Sequence, residues 1–447
     1  MTAKRLALTA LVIFGGFGSG LFARQADNGA PTIHVIGDAV SAVDAIEQLT
    51  PEFTRETGIK VVIEKAGYAA SLEKATADLN AKAGTYDVIL QSRDALTTFA
   101  TQGALFTLDE LEKASGKKAD FESDLFPNVW KALSIHKGKT YGYPSAANTM
   151  LVLYRKDLIE SATEKQAFRK RYGYELAPPN DWKQYRDLAE FFTRPGEGFY
   201  GILLQGKRFP AVWFEWLNFA FSFGGGVMER DHPWQYGPVI INSPATIAAT
   251  DYYDSLKKFS YPGYTNFTWD DAVAQMRQGH IFMCLMWSDA MFHVLDPKTS
   301  SVIGKIGFAP LPAGKAGRVA EIAGSSYFVS RYSKNPAASF AFVLWMMKRD
   351  HQVNQELAKG SSARKSVYDD PRVMQLPYAP ATAQSLAVGK TMTDTIPEAP
   401  QIAGILETAV NAVLSGRESS QQALDAAASE INRLLGSKAP LQYPATH

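Results

Sequence analysis

Three short runs decide the fold: Thr32-Ile33-His34-Val35-Ile36, Ile59-Lys60-Val61-Val62-Ile63 and Tyr86-Asp87-Val88-Ile89-Leu90. All are rich in β-branched or aromatic residues, and the last is apolar almost throughout. Strands of that kind are buried on both faces, as in a parallel sheet covered by helices. A patterned helix over 40–56 separates the first two runs and stops before Gly58. A second helix over 71–83 separates the last two. Strand, helix, strand, helix, strand makes successive βαβ units, so the first lobe is α/β.

Farther along, Tyr141-Gly142-Tyr143-Pro144 reads as a turn leading into a strand over 149–154. Pro178-Pro179-Asn180-Asp181 breaks the chain, and Asn180 or Asp181 can cap a helix over 182–192. A strand over 199–204 follows, then helices over 210–223, 244–259 and 269–278, and a strand over 281–286. This is a second α/β lobe. An apolar helix over 336–348 and two amphipathic helices within 402–435 complete the chain.

The composition sets outer limits. With 447 residues, 46 % apolar and 20 % charged, the chain is globular and long enough for two or three domains. Lys plus Arg is 46 against 45 for Asp plus Glu, which argues against nucleic acid or an anionic membrane as a partner bound through bulk charge. Cys284 is the only cysteine, so no internal disulfide forms. Lys4 and Arg5 precede an uncharged stretch over 6–22, with small residues at Ala23 and Ala26; this is the order of a secretory signal peptide, assigned to 1–23. A product soluble in the periplasm is expected.

Most enzyme chemistry is missing. The seven histidines are scattered and form no HExxH, so neither metal nor cofactor is expected. No GxSxG elbow and no Walker loop occur. Gly224-Gly225-Gly226 follows a helix and reads as a cap and turn. What stands out is aromatic surface beside carboxylates. Trp213-Phe214-Glu215-Trp216 opens a helix, and Trp287-Ser288-Asp289 follows a strand, on the side where open α/β sheets bind ligands. An aromatic face flanked by acceptors suits a sugar, whose C–H face is apolar and whose rim is hydroxyl. Single indoles on amphipathic helices pack in cores as often as they bind.

The order of several segments resembles the extracellular solute-binding proteins of bacterial ABC importers, in the sugar-type family that includes maltose-binding protein. They are Thr57-Gly58-Ile59-Lys60-Val61, Tyr86 to Leu90, Gly103-Ala104-Leu105, Tyr141 to Pro144 with Leu153-Tyr154-Arg155-Lys156-Asp157, Asn180-Asp181-Trp182, Pro310-Leu311-Pro312 and Ser333-Lys334-Asn335-Pro336. The resemblance implies an α/β periplasmic-binding-protein fold of type II, in which two lobes joined by a three-crossing hinge close on a solute. Lobe 1 would comprise 30–144 and 324–362, and lobe 2 would comprise 145–323 and 363–447.

By position, crossings fall near 144–148, 323–325 and 361–365, which implicates Ser145, Asn148, Ser325 and Arg364. The resemblance adds Asp94 as a hydroxyl-binding carboxylate, Tyr68 as a stacking residue and Trp287 on a sugar ring; Trp213, Glu215 and Asp289 complete the expected site. The helix near 396–410 offers Ile402, Ala403 and Ile405 where the maltose-binding relative supplies an aromatic. The expected guest is therefore a monosaccharide, polyol or short glycoside, delivered by a monomer to an ABC permease. Two rival readings stand. One is a secreted carbohydrate-active enzyme using Glu215 and Asp289. The other is a receptor for a charged solute held by Arg93, Lys207, Arg208 and Arg364, or by Asp94, Glu215 and Asp289.

Overall fold

A computed structural model describes residues 30–229, 235–391 and 396–438. The expected signal peptide lies outside the described residues. The apolar runs become parallel strands β1 (Thr32–Asp38), β2 (Lys60–Ala66) and β3 (Val88–Ser92). Helices Ser41–Thr57 and Tyr68–Ala81 connect them, the first ended by Gly58 in the left-handed region. A short hairpin, β4 (Ile135–His136) and β5 (Lys139–Thr140), precedes the strand that organises the molecule, β6 (Gly142–Arg155). Then follow β7 (Tyr200–Ile202), β8 (Ile281–Trp287), β9 (Ile306–Pro310) and β10 (Ile322–Val329).

The sheet runs β2-β1-β3-β10-β6-β8-β7, with β9 also paired to β6. β6 serves two lobes in succession. Gly142 to Thr149 pair with β10 in the first. Met150 to Tyr154 pair with β8, and Leu151 to Arg155 with β9, in the second. The segment read as a turn at Tyr141 to Pro144 is thus largely strand. Pro144 has no N–H to donate, and the register with β10 shifts there, leaving Ser145 as an extra residue opposite Ser325 and Ser326.

Both faces of each half-sheet are covered, as the near-continuous apolar runs require. In the first lobe Val35 and Leu90 join one core with Phe53 and Phe342, while Ile36 and Ile89 join another with Phe99 and Phe328. In the second, Val152 and Leu285 pack with Trp216 and Phe219, while Leu151, Cys284 and Met286 pack with Met276 and Ile306. Among the described residues no helix is long and apolar enough to cross a membrane.

The expected division at 363 is corrected. Ala363, Val367, Val373 and Leu386 bury in the first-lobe core, while Tyr378 and Ala381 pack with the second lobe. The stretch 363–388 therefore straddles the hinge, because its apolar residues have partners on both sides. The later helices Ala399–Leu414 and Ser420–Leu435 bury Ile402, Leu406, Leu424 and Ile431 in the second core.

Where β10 meets the bulge, Gly324 has φ +140 and a Cβ there would collide with the Ala146 carbonyl oxygen. Gly324→Ala is expected to lower unfolding stability by about 2–4 kcal/mol through backbone strain and overpacking. Urea denaturation checks this, and a loss below about 0.5 kcal/mol, the range of ordinary surface substitutions, would show that the two strands do not approach so closely.

Candidate binding site at the lobe crossings

The carboxyl ends of β1 and β3, with the start of the helix after β2, form one wall. Tyr68 opens its helix half-exposed, at 49 %, with its hydroxyl 3.3 Å from Ser92 Oγ. Ser92 is the register partner of Ser325, whose hydroxyl lies 2.8 Å from Ser145 Oγ. The bulge at Pro144 turns Ser145 toward this row. Beside it, Asp38 ends β1 and accepts from Ser71 Oγ and from Gln91 Nε2. Burial holds its carboxyl above the ordinary range, against the lowering effect of those two donors. Asp38 was not among the residues expected from sequence. Its signal was a carboxylate directly after a strand, in Gly37-Asp38.

The opposite wall comes from the end of β8 and the helix Pro210–Ser222. Half-buried Trp287 meets the half-buried Phe214 ring edge-on, with centroids 5.6 Å apart and planes at 80°. Phe214 in turn stacks on Trp213 at 3.8 Å. Asp289 sits in the single turn after β8, half-buried, and accepts 3.1 Å from Asn148 Nδ2. Burial raises its carboxyl, opposed by the backbone N–H groups of Asp289 and Ala290. Ser288 Oγ accepts from the Thr149 backbone N–H at 3.3 Å, pinning this turn to β6. Hydroxyls and a carboxylate of the first lobe, and a carboxylate with an aromatic corner of the second, thus lie along the one strand that both lobes share.

The model of the bacterial extracellular solute-binding proteins matches residues 48–381. The chain belongs to that family. As a member of an extracellular family, this solute-binding protein is secreted. It is 27 % identical over 388 residues to the mannitol-binding protein of Pseudomonas aeruginosa, covering 79 % of this chain and 81 % of that one. It is 24 % identical over 430 residues, 93 % of each chain, to a probable amino-acid ABC transporter periplasmic-binding protein of Sinorhizobium fredii. An ABC transporter solute-binding protein of Agrobacterium radiobacter in complex with ribitol superposes with a TM-score of 0.74 at 26 % identity, over 91 % of this chain and 99 % of that one. The two-lobe fold expected from the sequence is the fold of such neighbours.

Several expected site residues of the solute-binding protein are committed elsewhere. Glu215 is only 1 % exposed and accepts from the Gln205 backbone N–H at 2.9 Å, Tyr253 OH at 2.6 Å and Gln205 Nε2 at 3.4 Å. It braces the helix Pro210–Ser222 against the strand β8, since Gln205 Nε2 also donates to the Leu285 carbonyl at 3.1 Å. Glu215 therefore cannot partner Asp289 across a scissile bond. Trp213 is 4 % exposed behind Phe214, so the half-buried ring on that wall is Phe214. Helical spacing placed Trp213 and Trp216 on one face but could not say that the face is inward.

Arg364 is equally engaged: Nε donates to Asp124 Oδ2 at 2.7 Å and NH1 to the Met347 carbonyl at 2.5 Å, while the guanidinium lies over Phe121. It locks the first lobe and is not gathered with Lys207 and Arg208, which are exposed. Asp94 belongs to the helix Arg93–Thr101, and its side chain lies outside the described residues. Ser145, Asn148, Ser325, Trp287 and Asp289 do come together at the crossings, with Tyr68 linked to them through Ser92.

Burial pushes the Glu215 carboxyl up from 4.5 to about 7, against its bonds from Gln205 and Tyr253. The folded protein holds this proton where the unfolded chain releases it. The stability it contributes is thus full below pH 4.5 and lost as pH rises through about 7. Glu215→Gln is expected to remove about 3 kcal/mol of this pH dependence, read from denaturant midpoints between pH 4.5 and 8. An unchanged pH profile would place the ionisation elsewhere. Arg364→Ala is expected to cost about 2 kcal/mol of stability while leaving solute affinity within about twofold. A large loss of affinity at unchanged stability would return Arg364 to the site.

Proposed function

We propose that this protein is the solute-binding component of an ABC importer and takes a small uncharged polyol or monosaccharide between its lobes. In this reading a signal peptide over 1–23 directs the chain to the periplasm, where it works as a monomer. One juxtaposition supports the reading: the Ser325–Ser145 hydroxyl pair, with Tyr68–Ser92 next to it, lies on the β10 half of β6, and the Trp287–Phe214 corner, with Asp289 beside it, follows the β8 half of the same strand. The hydroxyls and carboxylates satisfy a polyol's rim, and the rings cover its C–H face. Asp38 supplies a further acceptor from the first lobe.

The guest spans both walls, so its binding free energy favours the closed arrangement of the lobes. A membrane permease then takes the solute unchanged from the closed form. The mannitol- and ribitol-binding relatives support a polyol. Arg364 is spent on Asp124 and Lys207 and Arg208 are exposed, so these three expected cations are not gathered for a phosphorylated guest.

A thermal-shift screen with D-mannitol, ribitol, monosaccharides, maltose, amino acids and sugar phosphates tests this. A neutral polyol or monosaccharide should raise the melting temperature and be recovered unaltered. A response confined to amino acids or phosphates, or any turnover, would refute it. Trp287→Ala is expected to weaken binding of the responding solute about tenfold or more, some 1.4 kcal/mol. Calorimetric titration reads this, and an unchanged dissociation constant would assign the ring to packing.

A further inference from the structure

Asn148 joins both lobes by hydrogen bonds through the two ends of its side chain. Its Nδ2 donates to Asp289 Oδ2 at 3.1 Å, and its Oδ1 accepts from Ser361 Oγ at 2.7 Å. The amide cannot usefully turn over, because an ionised carboxylate only accepts. Asp289 follows β8 and moves with the second lobe. Ser361 belongs with the first, where a buried polar face of the helix Arg349–Leu357 grips this stretch of chain. Ser362 N donates to Glu356 Oε2 at 2.7 Å, Ser362 Oγ to Gln352 Oε1 at 2.8 Å, and Gln355 Nε2 to the Ser145 carbonyl at 2.7 Å. The Ala147 backbone N–H donates to the Ser361 carbonyl at 3.2 Å, so Ser361 and β6 hold one another by main chain as well.

We infer that Asn148 is a positioning residue: the relay Ser361–Asn148–Asp289 sets the direction of the Asp289 carboxylate according to the hinge, so that Ser361, which lies behind the site, helps determine solute affinity. When the lobes rotate, Asp289 and Ser361 change their separation and Asn148 can keep both bonds only over a narrow range of angles. A guest hydroxyl bound to Asp289 is thereby coupled to that range. The affinity arm of the inference rests on the solute-binding reading, whereas the relay itself is intramolecular and exists without a guest.

A double-mutant cycle of Ser361→Ala and Asp289→Asn, repeated in an Asn148→Ala background, separates the two. In the ligand-free protein each single change should lower the melting temperature by about 2 °C. Together they should lower it by clearly less than the sum, and the non-additivity should vanish without Asn148. In D-mannitol titrations Ser361→Ala should weaken binding about three- to tenfold. That effect should likewise disappear in the Asn148→Ala background. If Asn148→Ala does not fold, Asn148→Leu, of similar shape, takes its place.

Additive effects in the ligand-free cycle, or non-additivity that survives loss of Asn148, would overturn the relay. Coupling in melting with no effect of Ser361→Ala on affinity would overturn its role in binding. Coupling in melting in a protein that binds no polyol leaves the relay standing and removes the polyol reading instead.

Discussion

A single strand carries the architecture. β6 gives its first half to β10 and its second half to β8 and β9, so that one run of backbone belongs to two sheets. A strand hydrogen-bonded on both sides has no freedom to leave either sheet, because each lost pair would bury an unmet N–H or carbonyl. The lobes therefore cannot come apart, and the pairing changes hands over a short stretch, between Thr149 and Met150. Everything that faces the crossing, from Ser145 to Asp289, is positioned by that constraint.

The polar chemistry near the crossing divides by burial. Groups that the protein satisfies with its own donors, such as Glu215 with Gln205 and Tyr253, or Arg364 with Asp124, are structural whatever their residue type. They cost too much to unpair for a guest to recruit them. Groups left half-buried, such as Ser325, Trp287 and Asp289, are those the proposed reading gives to a solute. Glu356 shows the first kind in its strongest form: burial pushes its carboxyl up to about 8, and it accepts from the Ser362 backbone beside the hinge. Such a group stabilises one arrangement of the chain because no water can replace its partner.

Much of this was legible in the sequence, and the reason is local. The βαβ rhythm, the apolar runs at Val88-Ile89-Leu90 and the caps at Gly58 and Asp181 follow from periodicity and from single-residue conformational preferences, which neighbours in the chain fix. That Ser145, Asn148, Ser325, Trp287 and Asp289 lie near the crossings was legible too, because β-strand ends and lobe crossings can be located along the chain before it is folded. Asp38 was missed for want of any residue-level signal beyond a carboxylate after a strand.

By itself the sequence determined the α/β class, the two lobes, the absence of disulfides and the helices and strands that bound the site. Only the tertiary structure decided that Gly142 to Pro144 is strand and not turn, that 363–388 straddles the hinge, and that Trp213, Glu215 and Arg364 are spent inside the lobes. The physical reason is that a side chain's type states which bonds it can make, whereas whether those bonds go to the protein or to a guest depends on partners such as Tyr253 and Asp124, distant in sequence and brought close only by folding.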